Sequence, residues 1–248
     1  MLYILYTIKE EASRNIAKAL LDIGFKETER IRIEGQEVKS VLNIKAKGDE
    51  CIVLSPHRSE SNRPTLTVHT PGNWEGNEFG GEPRTLSIAS PARMKRALEA
   101  MDREARARGL SVSVSYEVDH HGPTVEMPIT FYEIGSTEAQ WRERALAEIV
   151  AKAVVKSLDV EEEESFFGIG GGHYAPKFTA LALEKGICFG HMLPKYSIDS
   201  LREDTFRQAV DKVVGKTAGV AVEKGVSGRQ KAFIERMANE FGYEVSYI

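Results

Sequence analysis

Along the chain, segments with apolar residues at alternate positions give way repeatedly to segments with apolar residues every three or four positions, the signatures of strand and helix. Leu2 to Ile8 predicts a first strand, and Ala12, Ile16, Ala19, Leu20 and Ile23 then share one helical stripe that Gly24 closes. VKSVLNI (Val38 to Ile44) and CIVLS (Cys51 to Ser55) read as strands around the turn-rich KGDE. A polar stretch rich in Gly and Pro follows from Pro56 to Arg84, within which only TLTVH looks like strand. Loops of that length inside a compact domain usually carry function. Ser90 and Pro91 open a charged helix that runs to Gly109. LSVSVSYEV (Leu110 to Val118) alternates strictly and breaks at DHHGP, and MPITFYEIG follows as a further strand.

Thr137 with Gln140 forms a capping box for a helix from Glu138 to Ser157, whose stripe holds Trp141, Ala145, Ile149 and Ala153. Phe166 to Ile169 reads as a short strand, PKFTALALEKG as a helix and ICFGHML as a buried strand. Ser200 with Glu203 and Ser227 with Gln230 cap two more helices, and YEVSYI is a terminal strand. This alternation predicts a layered α/β fold around a central mixed sheet. No internal repeat or linker divides the chain, so residues 1–248 are expected to form one domain.

Composition narrows the function classes. The chain is 42% hydrophobic and 28% charged, an ordinary globular balance. Its net charge of −4 excludes a surface basic all over, so a nucleic-acid partner must be met by a local patch. No apolar run approaches the roughly 20 residues of a membrane span, and the N-terminus lacks the basic region of a signal peptide. A cytoplasmic protein with no membrane partner is expected. Cys51 and Cys188 lie far apart in apolar runs and read as buried free thiols.

All six histidines stand beside turn residues or at the end of a predicted strand: His57, His69, His120, His121, His173 and His191. Ligands of open α/β sheets bind outside the carboxyl ends of strands, so these side chains are candidates for one cleft. Histidine serves either as a metal ligand or as a general base near neutral pH, and both readings stay open. No H-E-x-x-H and no Cys-x-x-Cys is present, so a metal would need ligands from distant segments. His120 and His121 are adjacent, and on a strand they would point to opposite faces; they can share an ion only if the chain has already turned at DHHGP. Asp119, Glu126 and Glu133 are carboxylates able to complete a ligand set or act as base.

The run FGIGGGHYAPKFT (Phe167 to Thr179) fails both familiar glycine motifs. Counted from Gly168, the last position of G-x-G-x-x-G is His173, and Lys177 follows proline instead of forming Gly-Lys-Ser/Thr. Gly170, Gly171 and Gly172 still permit positive φ and close approach of a substrate to the backbone. Their amides, ahead of a helix opening at Pro176, could serve an oxyanion or a phosphate. Two segments carry basic groups for nucleic acid: SPHRSESNRPTLTVHTPGNW, with Arg58 and Arg63, and KGVSGRQKAF, with Lys224, Arg229 and Lys231 at a helix N-terminus. Trp74 is either a platform for an unpaired base or a core anchor.

Taken together, SPHRSESNRPTLTVHTPGNW, YEVDHHGPT, YEIGSTEAQW, GIGGGHYAPKFT and KGVSGRQKAFIERM resemble the archaeal-type D-aminoacyl-tRNA deacylases of archaea and plants, over nearly the whole chain. The resemblance implies hydrolysis of the ester between a D-amino acid and the 3′ end of tRNA, zinc as cofactor, and a three-layer α/β/α fold of the phosphorylase/hydrolase kind. On that basis His120, His121 and His173 are expected to bind zinc, with His69 next, and His173, His121 and Glu133 to act at the ester. Gly170, Gly171 and Gly172 would admit the aminoacyl group, and Arg58, Trp74, Lys177, Arg229 and Lys231 would hold the acceptor end of the tRNA. A monomer is expected. The alternatives are a metal-independent histidine hydrolase of the peptidyl-tRNA hydrolase type, an amidohydrolase or exopeptidase on small D-amino-acid derivatives, and a non-catalytic RNA-binding module.

Overall fold

The computed structural model describes Met1–Ile248. Its first half runs β1 (Leu2–Thr7), α1 (Glu11–Asp22), β2 (Ile31–Gln36), β3 (Glu50–Pro56), β4 (Thr65–His69), β5 (Gly72–Asn73), β6 (Thr85–Leu86), α2 (Pro91–Ala107), β7 (Ser113–Tyr116) and β8 (Ile129–Gly135). Its second half runs α3 (Glu138–Trp141), α4 (Arg144–Lys156), β9 (Glu164–Ile169), α5 (Pro176–Lys185), β10 (Cys188–Leu193), α6 (Glu203–Asp211), β11 (Lys216–Val222), α7 (Gly228–Glu240) and β12 (Val245–Tyr247). No helix is long and apolar enough to cross a membrane.

The expected α/β/α layering around a mixed sheet is present. Six strands lie in the order β2-β1-β3-β8-β4-β7, and a second sheet of four parallel strands has the order β10-β9-β11-β12. In the larger sheet β4 runs antiparallel to β8 and the other pairs are parallel. Helices α1, α2 and α4 cover one face of it, burying Ile4, Ile52, Leu54, Tyr132, Ile134, Leu66 and Val68. The alternate residues Leu5, Cys51, Val53, Ile129 and Phe131 turn to the opposite face, where they meet Val41 and Ile44. The smaller sheet packs Phe167, Ile169, Val220 and Val222 against α6 and α7.

Several expectations are corrected. VKSVLNI is not a strand: the Ser40 hydroxyl accepts from the Leu42 amide and starts a 3₁₀ turn at Val41–Asn43, and burial of Val41 and Ile44 explains the apolar spacing. The helix expected from Glu138 to Ser157 is two helices, α3 under its Thr137–Gln140 capping box and α4, separated by Arg142 and Glu143. Strands β2 and β11 are additions to the expected elements: β2 alternates over only Ile31-Arg32-Ile33-Glu34, and β11 carries no period-two signal. Both cysteines are buried free thiols, and burial pushes Cys188 up to about 12.

Candidate functional site

Strand parity builds the site. Tyr116 and Val118 are buried among the helix-side core residues, so Ser115, Glu117 and Asp119 turn to the other face. Glu133 stands on that same face of β8, opposite Ser55 of β3 and Thr67 of β4. His69 ends β4, His57 follows β3, and both point to the same side. From the second sheet, the loop after β9 delivers His173 and Tyr174 by pairing with the chain beyond β7: the Val118 amide donates to the His173 carbonyl, and the Ala175 amide to the Tyr116 carbonyl.

The result is a group of imidazoles around two buried carboxylates. His57 Nδ1 lies 3.1 Å from Glu117 Oε1 and 3.2 Å from Glu133 Oε2, and its Nε2 is 3.0 Å from the Tyr174 hydroxyl. Glu117 Oε2 lies 3.1 Å from His173 Nε2 and 3.4 Å from His120 Nε2. His69 Nε2 is 3.6 Å from Glu133 Oε1, which also accepts from the Ser55 hydroxyl at 2.6 Å. The His120 and His121 rings both approach His69, with centroids 4.4 and 5.0 Å away. His121 has φ +50°, so the chain has turned at DHHGP as two neighbouring histidines need in order to converge.

The donor atoms suit a metal ion. His69, His120 and His121 each place Nδ1 against a backbone carbonyl, of Thr70, Val118 and Gly122 respectively. A carbonyl can only accept, so Nδ1 is the protonated nitrogen of the neutral ring and Nε2 keeps its lone pair for a ligand. His69 Nε2 and both oxygens of Glu117 are buried without a hydrogen-bond partner. An orphaned buried carboxylate is costly, and nitrogen–oxygen approaches of 3.1–3.4 Å without hydrogen-bond alignment match the roughly 3.3 Å between ligands on a tetrahedral ion with about 2.05 Å bonds. Three sets of three donors converge: His69, His120 and His121; His57, Glu117 and His173; and His69, Glu117 and Glu133.

The electrostatics divide the ring nitrogens into two kinds. Burial opposes charge on His57, yet the hydrogen bond to Glu133 and the fields of Glu117 and Glu133 overcome it and raise the group to about 9. His69 is likewise raised by Glu133 against its burial. His121 is lowered to about 4 by burial and by His69, and His120 falls well below the ordinary range for the same reasons and through His121. Burial works against the Glu133 charge too, but His57 and His69 beside it hold it well below the usual carboxylate range. So weak a base orients imidazoles better than it accepts a proton from water.

Three cavities open onto this centre. One of about 900 Å³ is bordered by Gly171, His173, Lys177, Lys195, Tyr196 and Glu223. A second of about 300 Å³ reaches His57, Arg58, Phe79, His120, Glu133 and His173. The third, also about 300 Å³, lies behind His120 and His121 and carries Glu75 and Glu78.

The other expected residues fall at different distances from the centre. Lys177, in the first turn of α5, borders the large cavity, and Arg58 borders the second while stacking over Trp141 at 4.3 Å. Arg229 and Lys231 flank Gln230 at the rim, and the Lys231 ammonium lies over the Tyr247 ring. Trp74 is corrected: it is buried and stacked on Phe167, so its ring faces belong to the core and offer no platform to a base. In the glycine run, Gly170 donates to the Leu193 carbonyl and Gly171 to Glu223, which leaves the amides of Gly172 and His173 without a partner inside the protein. Sequence reasoning missed Glu117, His57 as a central residue, and Tyr174. It also left His191 unassigned. His191 is buried away from the cleft with Nδ1 2.8 Å from Asp119 Oδ2, and Asp119 Oδ1 accepts from the Met192 amide at 3.1 Å.

That pair fixes the second sheet against the segment that carries His120. Asp119→Ala is expected to cost about 3 kcal/mol in a urea titration, from two lost buried hydrogen bonds, one of them charge-assisted. Turnover should fall with it as His120 loses its anchor. Unchanged stability would show that the pair holds nothing.

Fold and site together define an α/β protein whose sheets converge on a buried histidine–carboxylate centre able to bind a metal. The family model for D-aminoacyl-tRNA deacylase matches residues 44–246. A D-aminoacyl-tRNA deacylase of Pyrococcus abyssi is 36% identical over an alignment covering 98% of each chain. One of Aeropyrum pernix is 41% identical over 79% of this chain and 75% of its own. A crystal structure described as a conserved protein of unknown function superposes with a TM-score of 0.89 at 28% identity, covering 100% of this chain and 95% of the other. The chain belongs to the D-aminoacyl-tRNA deacylase family.

Proposed function

We propose that the protein hydrolyses the ester joining a D-amino acid to the 3′ end of tRNA, and that zinc held in the histidine–carboxylate centre serves the reaction. The observation that carries this reading is the buried, unpartnered Glu117 carboxylate among four imidazoles at the floor of open cavities. Family membership supports the substrate.

In this reading His69, His120 and His121 offer three Nε2 atoms, and Glu117 stands between the donor sets. Zinc, when bound, supplies Lewis acidity at the ester carbonyl and brings the pKa of water towards neutrality. The protein's own groups do the rest. Glu133 and Ser55 hold His57 and His69 in place. The Gly172 and His173 amides are candidates to receive the developing oxyanion. His173 is 39% exposed, against 24% for His120 and 0% for His69, and it borders both the large and the second cavity, which suits it to pass a proton to the leaving 3′-oxygen.

The test is deacylation of D- and L-tyrosyl-tRNA by one metal-analysed sample. The D-substrate should turn over at least on the order of a hundredfold faster. Activity should disappear after chelation and return with zinc. Full activity in metal-free protein would replace the zinc mechanism with a histidine base. Hydrolysis of D-tyrosine methyl ester as efficient as that of the charged tRNA would favour an enzyme of small D-amino-acid derivatives.

A further inference from the structure

Only two aromatic side chains are strongly exposed, Phe79 at 68% and Tyr196 at 65%, and both border the histidine centre. Tyr196 stands on the ridge between the 900 Å³ cavity, which it shares with His173, and the smaller cavity behind His120 and His121. It belongs to a 3₁₀ turn, Lys195–Ser200, whose first amide donates to the Gly171 carbonyl at 3.0 Å. The ring's backbone is thereby tied to the loop that carries His173. Its hydroxyl makes no hydrogen bond within the protein, so nothing in the fold accounts for an exposed ring at this point.

Charge gives the ridge a direction. On the large-cavity side stand Lys177 and Lys195; the carboxylate there, Glu223, already accepts from the Gly171 amide at 2.9 Å. On the other side stand Glu75 and Glu78. A phosphodiester strand is favoured over the two lysines, whereas Phe79 stands between that acidic side and the second cavity, whose only arginine or lysine, Arg58, lies 3.6 Å from Glu10. Resting on the function proposed above, we infer that Tyr196 is the stacking platform for the 3′-terminal adenine of tRNA, with Lys177 and Lys195 meeting the phosphates that precede it. The terminal ribose then lies between Tyr196 and His173, which puts its ester at the histidine centre. Stacking suits this position because every charged tRNA carries its amino acid on the ribose of that same terminal adenosine.

The experiment compares binding of uncharged tRNA ending in CCA with the same tRNA trimmed to CC. Wild-type protein should prefer the intact end on the order of tenfold. Tyr196→Ala should bring that ratio close to one, Tyr196→Phe should keep it, and thermal melting of both variants should match wild type because the ring is exposed. An undiminished ratio in Tyr196→Ala would overturn the assignment, as would loss of the ratio in Phe79→Ala instead. D-Tyrosyl-tRNA hydrolysis by the wild type, run alongside, separates the two readings. If it is present while the ratio is indifferent to Tyr196, the adenine site alone fails; if it is absent and neither tRNA binds, both fall.

Discussion

Glu117→Gln is expected to abolish zinc binding and to lower D-tyrosyl-tRNA turnover about a thousandfold or more, roughly 4 kcal/mol of transition-state stabilisation, while the metal-free protein stays folded. Glu117 belongs to two of the three donor sets and faces His57, His120 and His173 at 3.1–3.4 Å. Glutamine keeps its volume and removes its charge. In the metal-free protein the loss is partial, because burial and Glu133 oppose the Glu117 charge and the surrounding histidines, which outweigh them and hold the carboxyl below its ordinary value, leave only the difference to be lost. A ligand that binds the folded state alone stabilises it by mass action, about 2.7 kcal/mol at a hundredfold excess over Kd. Zinc should therefore raise the melting temperature of wild type and leave that of Glu117→Gln flat. A variant that still bound zinc stoichiometrically and turned over within about tenfold of wild type would remove Glu117 from the centre.

Glu117 also shows where sequence reasoning stops. The histidines were legible because each stands beside turn residues or at the end of an expected strand, and ligand binding at strand ends is a general property of α/β sheets. Glu117 sits inside the strictly alternating LSVSVSYEV, where it reads as one more solvent-facing residue. The parity was visible, since Tyr116 and Val118 face the helices and Glu117 must face away. What parity leaves open is that this face is covered by the loop bearing His173. The order β3-β8-β4-β7, with β4 antiparallel to β8, brings His57, Glu133, His69 and Glu117 side by side, and no spacing along the chain encodes that order. Trp74 misled for the opposite reason: an indole in a polar, Gly-rich segment looks exposed, but the segment folds back so that Trp74 stacks on Phe167. Strand β2 does alternate as Ile31-Arg32-Ile33-Glu34, but this edge strand is cut short by Gly35 and its signal spans only four residues, while β11 runs through Ala218 and Gly219 into the wholly apolar Val220-Ala221-Val222 and shows no alternation.

Gly170→Ala is expected to destabilise the protein by about 3 kcal/mol or more, whereas Gly172→Ala should leave stability within about 0.5 kcal/mol of wild type. The two glycines are two positions apart in one run, and their surroundings differ completely. Gly170 has φ +136°, a region that side chains rarely adopt, and an added Cβ would lie 2.5 Å from the Glu223 Cβ. Relief would push Glu223 away from the Gly171 amide that it accepts from. Gly172 has neither constraint, since a Cβ there would meet nothing within 4 Å. If that open space is where the aminoacyl end passes His173, a larger side chain should obstruct the substrate without disturbing the fold, and Gly172→Val should lower kcat/KM by about tenfold or more at unchanged stability. Urea titration and steady-state kinetics on the same three variants decide it. Equal destabilisation at both positions would mean that the run is a single structural turn, and full activity in Gly172→Val would mean that the substrate reaches the histidines by another side.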